Sequence, residues 1–170
     1  MKYCPSCGSA VATRFVEGRD RWVCDACAVI HYRNPVPSTT CLIPTEQGIV
    51  VIRRRYDPGI GGWAFPGGFI DAEETVQQAA IRETKEETNL DVEIEGLLGV
   101  YSYVDPNKSG LVVIFQASVV GGEPCAGDDA AEIAVCPPER LPNLVFESHR
   151  RALDLWLKQR DAGALPLPLL

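Results

Sequence analysis

Residues Gly67 to Leu90 read GGFIDAEETVQQAAIRETKEETNL and carry six acidic side chains: Asp71, Glu73, Glu74, Glu83, Glu86 and Glu87. Thr75 and Gln78 have the spacing of a capping box, in which hydroxyl and amide each satisfy the other's backbone N–H. This predicts a helix from about Val76 to about Asn89, asparagine being a residue that tolerates the left-handed turn at a helix end. Glu83, Glu86 and Glu87 then stand at i, i+3 and i+4, on one face. Each like-charged neighbour costs roughly 0.2–0.5 kcal/mol, and anions in the last turns also meet the negative end of the helix dipole. Arg82, four residues before Glu86, and Lys85 offset part of this cost. A solvated charged face is one reading, but it leaves Glu83 and Glu87 repelling each other to no benefit. A hard divalent cation such as Mg2+ takes oxygen ligands, completes its shell with water and phosphate, and turns the crowding into a site.

The spacing of the fixed residues decides between these readings. Gly68, five residues, Glu74, seven residues, then Arg82-Glu83-Thr84-Lys85-Glu86-Glu87-Thr88-Asn89-Leu90 resembles the Nudix box, G-x5-E-x7-R-E-U-x-E-E-x-G-U, where U is a bulky aliphatic residue. Gly68, Glu74, Arg82, Glu83, Glu86 and Glu87 match. Thr84 replaces an aliphatic residue, which bears on packing, and Asn89 replaces the glycine after the helix. The preceding GGWAFPGGF also looks like the usual approach to this box.

The resemblance implies a pyrophosphohydrolase that uses Mg2+ or Mn2+ to cleave a nucleoside diphosphate linked to another group. It assigns Glu83, Glu86, Glu87 and the Gly67 carbonyl to metal, Arg82 to orienting Glu83, and Glu74 to tying the loop to the helix. The general base varies across the family. Here AGDDAAEIAV offers Asp128, Asp129 and Glu132, with Glu132 best placed before a strand.

Ahead of this region, Cys4-Pro-Ser-Cys7 and Cys24-Asp-Ala-Cys27 form a C-x2-C-x16-C-x2-C pattern. Two residues between cysteines let one turn aim both sulfurs at a common centre, and two such turns supply the four thiolates a structural zinc ion prefers. Gly8 suits the first turn, while Ala28 is merely tolerable in the second. The intervening ATRFVEGRDRWVC reads as a hairpin with its tip at Glu17 to Asp20. With four sulfurs the site is closed, so His31 is not expected as a ligand. Cys41, Cys125 and Cys136 are expected as buried free thiols. A ribbon of this kind is known from a subset of the family.

The chain has 170 residues, a net charge of −7 and 46% hydrophobic residues. These values fit a folded domain with a small appendage and disfavour a broad nucleic-acid contact. No apolar run is long enough to span a membrane. The N-terminus lacks the apolar core of a signal peptide, so a cytoplasmic protein is expected.

The expected division is a zinc ribbon over 1–34, a hydrolase domain over 35–162 and a tail over 163–170. Arg33 to Thr40 reads as the linker. Strands are expected in CLIPTEQGIVVIRRR, VEIEGLLGVYSYV, GLVVIFQASVV and EIAVC, with a turn at Asp105 to Lys108, and an amphipathic helix over Glu147 to Asp161. The fold class is α+β, a mixed sheet between helices, in keeping with the α/β/α sandwich of the resembled family. The tail has no assigned task.

Arg53 and Arg55 share a strand face and suit a phosphate or ribose, simple solvation being the alternative. Tyr101 and Tyr103 could stack on a base, core packing being the alternative. Relatives active on NADH carry an SQPWPFP-like segment that is missing here. Pro106 resembles a downstream proline of ADP-ribose pyrophosphatases, and the ribbon, HYRNP and box together look like proteins acting on FAD and ADP-ribose. A small-molecule nucleotide of that type is the expected substrate. Family members often dimerise, which makes a homodimer an implied partner. A nucleotide-sensing or scaffold module without turnover, and a pyrophosphatase that sanitises nucleoside triphosphates, remain the alternatives.

Overall fold

The computed structural model describes residues 1–104, 108–164 and 166–168, in two compact units, Met1–Pro35 and Val36–Leu170. Most of the turn expected at Asp105 to Lys108, including Pro106, lies outside the described residues.

In the first unit, β1 (Ala12–Val16) and β2 (Arg19–Val23) form an antiparallel hairpin, and β3 (Ile30–His31) pairs with β2. The two-residue tip, Glu17 and Gly18, has positive φ at both positions (52° and 77°), the twist that matches a right-handed hairpin.

The second unit contains β4 (Val36–Leu42), β5 (Pro44–Thr45), β6 (Gly48–Arg54), β7 (Trp63–Ala64), β8 (Gly67–Phe69), α1 (Val76–Thr88), β9 (Asp91–Tyr103), β10 (Gly110–Gly121), β11 (Ala130–Cys136) and α2 (Glu147–Asp161). One sheet runs β8-β4-β10-β9, with β4 and β10 parallel and the other neighbours antiparallel. The other runs β11-β6-β5, with β7 on β6.

Strand periodicity sorts the core onto two faces. Leu42, Ile49, Val51, Val112 and Ile114 pack with Ala152 and Trp156 of α2. Their sequence neighbours Cys41, Ile43, Val50 and Phe115, together with Ala117, pack with Ala80 of α1. Both faces are therefore covered, as an α/β/α sandwich requires.

Three expectations need correcting. The linker is shorter than Arg33 to Thr40, because β4 begins at Val36 and Thr39 and Thr40 are buried. Two prolines suggested a linker, but the parallel partner β10 and the β-branched pair hold the segment in the sheet. Cys41 is buried, whereas Cys125 is exposed and Cys136 half-buried. Cys125 docks through its backbone N–H, which donates to Thr88 O at 2.9 Å, so its side chain stays outside. Finally, part of the tail has a definite place. Leu97 and Leu167 exchange backbone hydrogen bonds of 2.9 and 3.3 Å on the edge of β9, blunting an otherwise open strand. Gly96 permits this approach, since a Cβ there would sit 2.6 Å from Leu167 O.

Helix α1 follows the sequence closely. Thr75 and Gln78 form the reciprocal capping box, and Asn89 ends the helix with φ 58°. Thr84 is wholly buried, and its hydroxyl, beside the Cys41 thiol, has no nitrogen or oxygen partner among the described residues. Thr84→Val keeps the shape and removes the stranded hydroxyl. Denaturant melts should show a gain of about 1 kcal/mol.

Candidate active site

The box begins where β8 meets β4. Gly67 has φ 153°, and a Cβ there would lie 2.2 Å from Thr39 O, so only glycine fits. Its N–H donates to Glu87 Oε2 at 2.8 Å. At Gly68 a Cβ would lie 2.5 Å from the Glu83 carboxylate. The two glycines thus let the loop backbone close onto two of the helix's three carboxylates.

Arg82 organises the acids. Its Nε and Nη2 donate to the two oxygens of Glu74 at 3.0 and 2.7 Å, and Nη2 also reaches Phe69 O at 3.1 Å. Nη1 donates to Glu83 at 2.9 Å and to Glu86 at 2.8 Å. Glu74 Oε1 also accepts from Asp71 N at 3.0 Å, which closes the turn before the helix. The Arg82 guanidinium holds the Glu74 carboxyl below its ordinary pKa, with help from the Asp71 amide.

The other glutamates shift in the opposite direction. Burial pushes Glu83 up against the pull of Arg82. Glu87 is 3% exposed and pushed up to about 8, chiefly by burial. The Gly67 amide and Arg54 oppose that shift, while Glu83 and Asp129 add to it.

The loop before β11 is tied by its backbone to the end of α1. Cys125 N donates to Thr88 O at 2.9 Å and Gly127 N to Glu87 O at 3.2 Å, satisfying carbonyls left over at the helix end. Asp129 is the loop acid whose charge raises both Glu83 and Glu87. Glu132 lies opposite Arg53 across the β6–β11 pair, 3.5 Å from its guanidinium. Arg53 also donates to Gly61 O, and Arg55 to Ala130 O. Arg54, whose Nε donates to Pro58 O at 2.7 Å, is the arginine whose charge lowers Glu87, and sequence alternation passed it over. A register shift between Ala130 and Glu132, invisible in the sequence, sets this part of the strand pair.

The Arg54 guanidinium also stacks 5.2 Å from the Phe146 ring. Phe146, Tyr101, Tyr103, Ser148 and Arg151 help line a cavity of about 360 Å³. Tyr101 packs on the core with Arg151 over its ring at 5.1 Å, and Tyr103 is 44% exposed. Both tyrosines thus face one cavity, which shares its Phe146 wall with Arg54.

The donor set on α1 is all hard oxygen, and two of its carboxyls are strained toward protonation, so a dication would relieve them. Among the described residues, however, the three glutamates do not gather within 4.8 Å of one another as the four cysteines do. Arg82 holds Glu86.

The cysteine cluster meets a stricter test. Cys4 and Cys27 sulfurs are 3.7 Å apart, and those of Cys7 and Cys24 are 3.5 Å apart. Sulfurs at about 2.3 Å from a tetrahedral zinc stand about 3.8 Å from each other. Ala28 adopts φ 58° in the second turn, as Gly8 does at 73° in the first, and His31 lies outside the cluster.

Residues 34–157 match the family model described as NUDIX domain, and residues 2–33 match the one described as Nudix N-terminal. The chain belongs to the Nudix hydrolase family. An ADP-ribose pyrophosphatase of Methanocaldococcus jannaschii is 40% identical over 132 residues, 76% of this chain and 78% of its own. The NAD-capped RNA hydrolase NudC of Pseudomonas aeruginosa is 27% identical over 98% of this chain, which spans 59% of that relative. The crystal structure of a Nudix hydrolase from Nitrosomonas europaea superposes with a TM-score of 0.87 at 31% identity, covering 99% of this chain and 97% of the other.

The raised pKa of Glu87 gives this Nudix domain a pH signature. A carboxyl whose folded pKa exceeds its unfolded value of about 4.3 lends its full stability only below that value, and loses it as pH climbs through about 8. Metal-free Glu87→Gln should therefore melt close to the parent at pH 5. At pH 8 it should be the more stable of the two, since the parent's buried carboxyl is by then ionising. Calorimetry at the two pH values checks this.

Proposed function

We propose that this chain hydrolyses the diphosphate bridge of an ADP-containing dinucleotide or nucleotide sugar, such as ADP-ribose or FAD. The products are a nucleoside monophosphate and a phosphorylated remainder. The observation that carries this reading is the buried, desolvated Glu87 beside Glu83 on a face braced by Arg82. A binding module without turnover has no need for such a costly arrangement.

Glu83, Glu86 and Glu87, with the Gly67 carbonyl, would hold Mg2+ or Mn2+, Glu86 once released from Arg82. When bound, the ion neutralises the phosphates and acidifies water. Arg82 and Glu74 keep Glu83 aimed. Asp129 or Glu132 takes the proton as water attacks phosphorus and the bridging oxygen leaves with the other phosphate. Asp129 is favoured, since Glu132 is paired with Arg53 while the charge of Asp129 acts on Glu83 and Glu87. Arg54 sits where it can hold the diphosphate. The cavity of Tyr101, Tyr103, Phe146 and Arg151 takes the base by stacking and cation–π contact. The 40% identical relative, named ADP-ribose pyrophosphatase, supports this substrate class.

No described helix is long and apolar enough to cross a membrane. Four thiols arranged for zinc fit a reducing, cytoplasmic setting.

A panel of ADP-ribose, NADH, FAD, diadenosine polyphosphates and nucleoside triphosphates, with Mg2+ or Mn2+, tests the reading. AMP should appear from ADP-ribose or FAD. Glu86→Gln should lower turnover at least about a hundredfold, or about 2.7 kcal/mol of barrier, with an unchanged melting curve. Tight ADP-ribose binding without product would instead establish a sensing module.

The ribbon should carry one zinc per chain by elemental analysis. Chelation, or Cys24→Ser, should collapse the β1–β2 amide resonances, because metal binding supplies the folding energy of so small a unit.

A further inference from the structure

His149 of α2 is buried, far from the box in sequence, and absent from every role described so far. Its Nδ1 accepts a hydrogen bond from Phe65 N at 3.1 Å. Its ring stacks on Phe65 (centroids 5.4 Å apart, 9° between planes) and meets the edge of Phe146 at 5.1 Å. Burial, with Arg54 and Arg150 nearby, pushes the imidazole down to about 3, so it is neutral and accepts at Nδ1.

The position of that one hydrogen bond matters. The segment from Gly62 to Gly67 joins two short strands, and its backbone is pinned on both sides. Val145 N donates to Trp63 O at 2.9 Å, and Cys41 N to Pro66 O at 3.0 Å. Pairing of β7 ends at Ala64, and Pro66 has no N–H, so Phe65 carries the one backbone donor between Ala64 and Gly67. Phe65 is 1% exposed, and a donor buried that deeply requires an acceptor. Two residues on, Gly67 N meets Glu87, and the next residue packs on the Glu83 carboxylate. A shift of the Phe65 backbone would disturb both contacts.

We propose that His149 is a positioning residue, whose Nδ1 fixes the Phe65–Gly68 backbone and thereby sets Glu83 and Glu87 for the divalent cation. This rests on the hydrolase reading above. An apolar residue at 149 would fill the same space but strand the Phe65 amide. An asparagine places its Oδ1 close to where Nδ1 stands but gives up the stacked ring. The two substitutions therefore separate acceptor from packing.

The test measures Mn2+ affinity of the full chain by electron paramagnetic resonance without substrate, alongside kcat and KM. His149→Leu should weaken Mn2+ binding and kcat by about tenfold or more, as loss of an outer-shell partner does, with KM little changed. His149→Asn should restore both to within about threefold of the parent. Equal Mn2+ affinity in the Leu and Asn variants would overturn the proposal, whether both bind normally or both are impaired. Amide exchange in the unaltered protein gives a second reading that needs no variant. Phe65 N–H should be protected as strongly as the amides of β4, and exchange at loop rates would overturn the proposal. Failure of the parent to turn over any substrate would count against the hydrolase reading, while the Mn2+ comparison would still decide the role of His149.

Discussion

The Arg82 guanidinium has five N–H donors, and all five are engaged: two to Glu74, one each to Glu83 and Glu86, and one to the Phe69 carbonyl. One planar, permanently charged group therefore joins the start of the box, the loop and two turns of the helix. A lysine could not replace it, because the fork geometry serves both Glu74 oxygens while the other nitrogen faces the helix. This clamp explains how like charges can be crowded near the end of α1. Glu74, Glu83 and Glu86 pair with it directly, while Glu83 and Glu87 bear the cost of burial.

Glu87 bears the larger share. Its immediate partner is a backbone amide, and its surroundings add negative charge from Glu83 and Asp129. Burial there favours the protonated carboxyl, against the pull of the Gly67 amide and Arg54. A bound dication would offset that burial cost. The same geometry demands glycine at 67 and 68, since any side chain there would displace the carboxylates or the neighbouring strand.

Around this face the sandwich supplies three supports from distant parts of the chain. The loop before β11 caps the end of α1 and delivers Asp129. Strand β6 ends in Arg54, whose stack on Phe146 connects the carboxylates to the wall of the aromatic cavity. Helix α2 contributes Phe146 at its cap and His149 one turn later, so one helix start touches both the cavity and the backbone that leads into the box. The double-faced sheet makes these approaches possible, because its alternating side chains tie α1 and α2 to opposite sides of the same strands.

Sequence alone determined whatever depends on short spacing. The capping box, the left-handed Asn89, the shared face of the glutamates, the turn-paired cysteines and the amphipathic α2 all follow from local backbone geometry, which the order of residues dictates. It could not reveal that the charge of Arg54 acts on Glu87, because that depends on how β6 packs beside α1 and not on local spacing. Nor could it show that Glu132 is paired with Arg53 while the charge of Asp129 acts on Glu83 and Glu87, that Val36 to Thr40 is strand despite two prolines, or that Leu167 closes the edge of β9. His149 looked like any residue of an amphipathic helix. Its role arises from an amide 84 residues away, and contacts across such separations are fixed by how the layers pack, which only the tertiary structure decides.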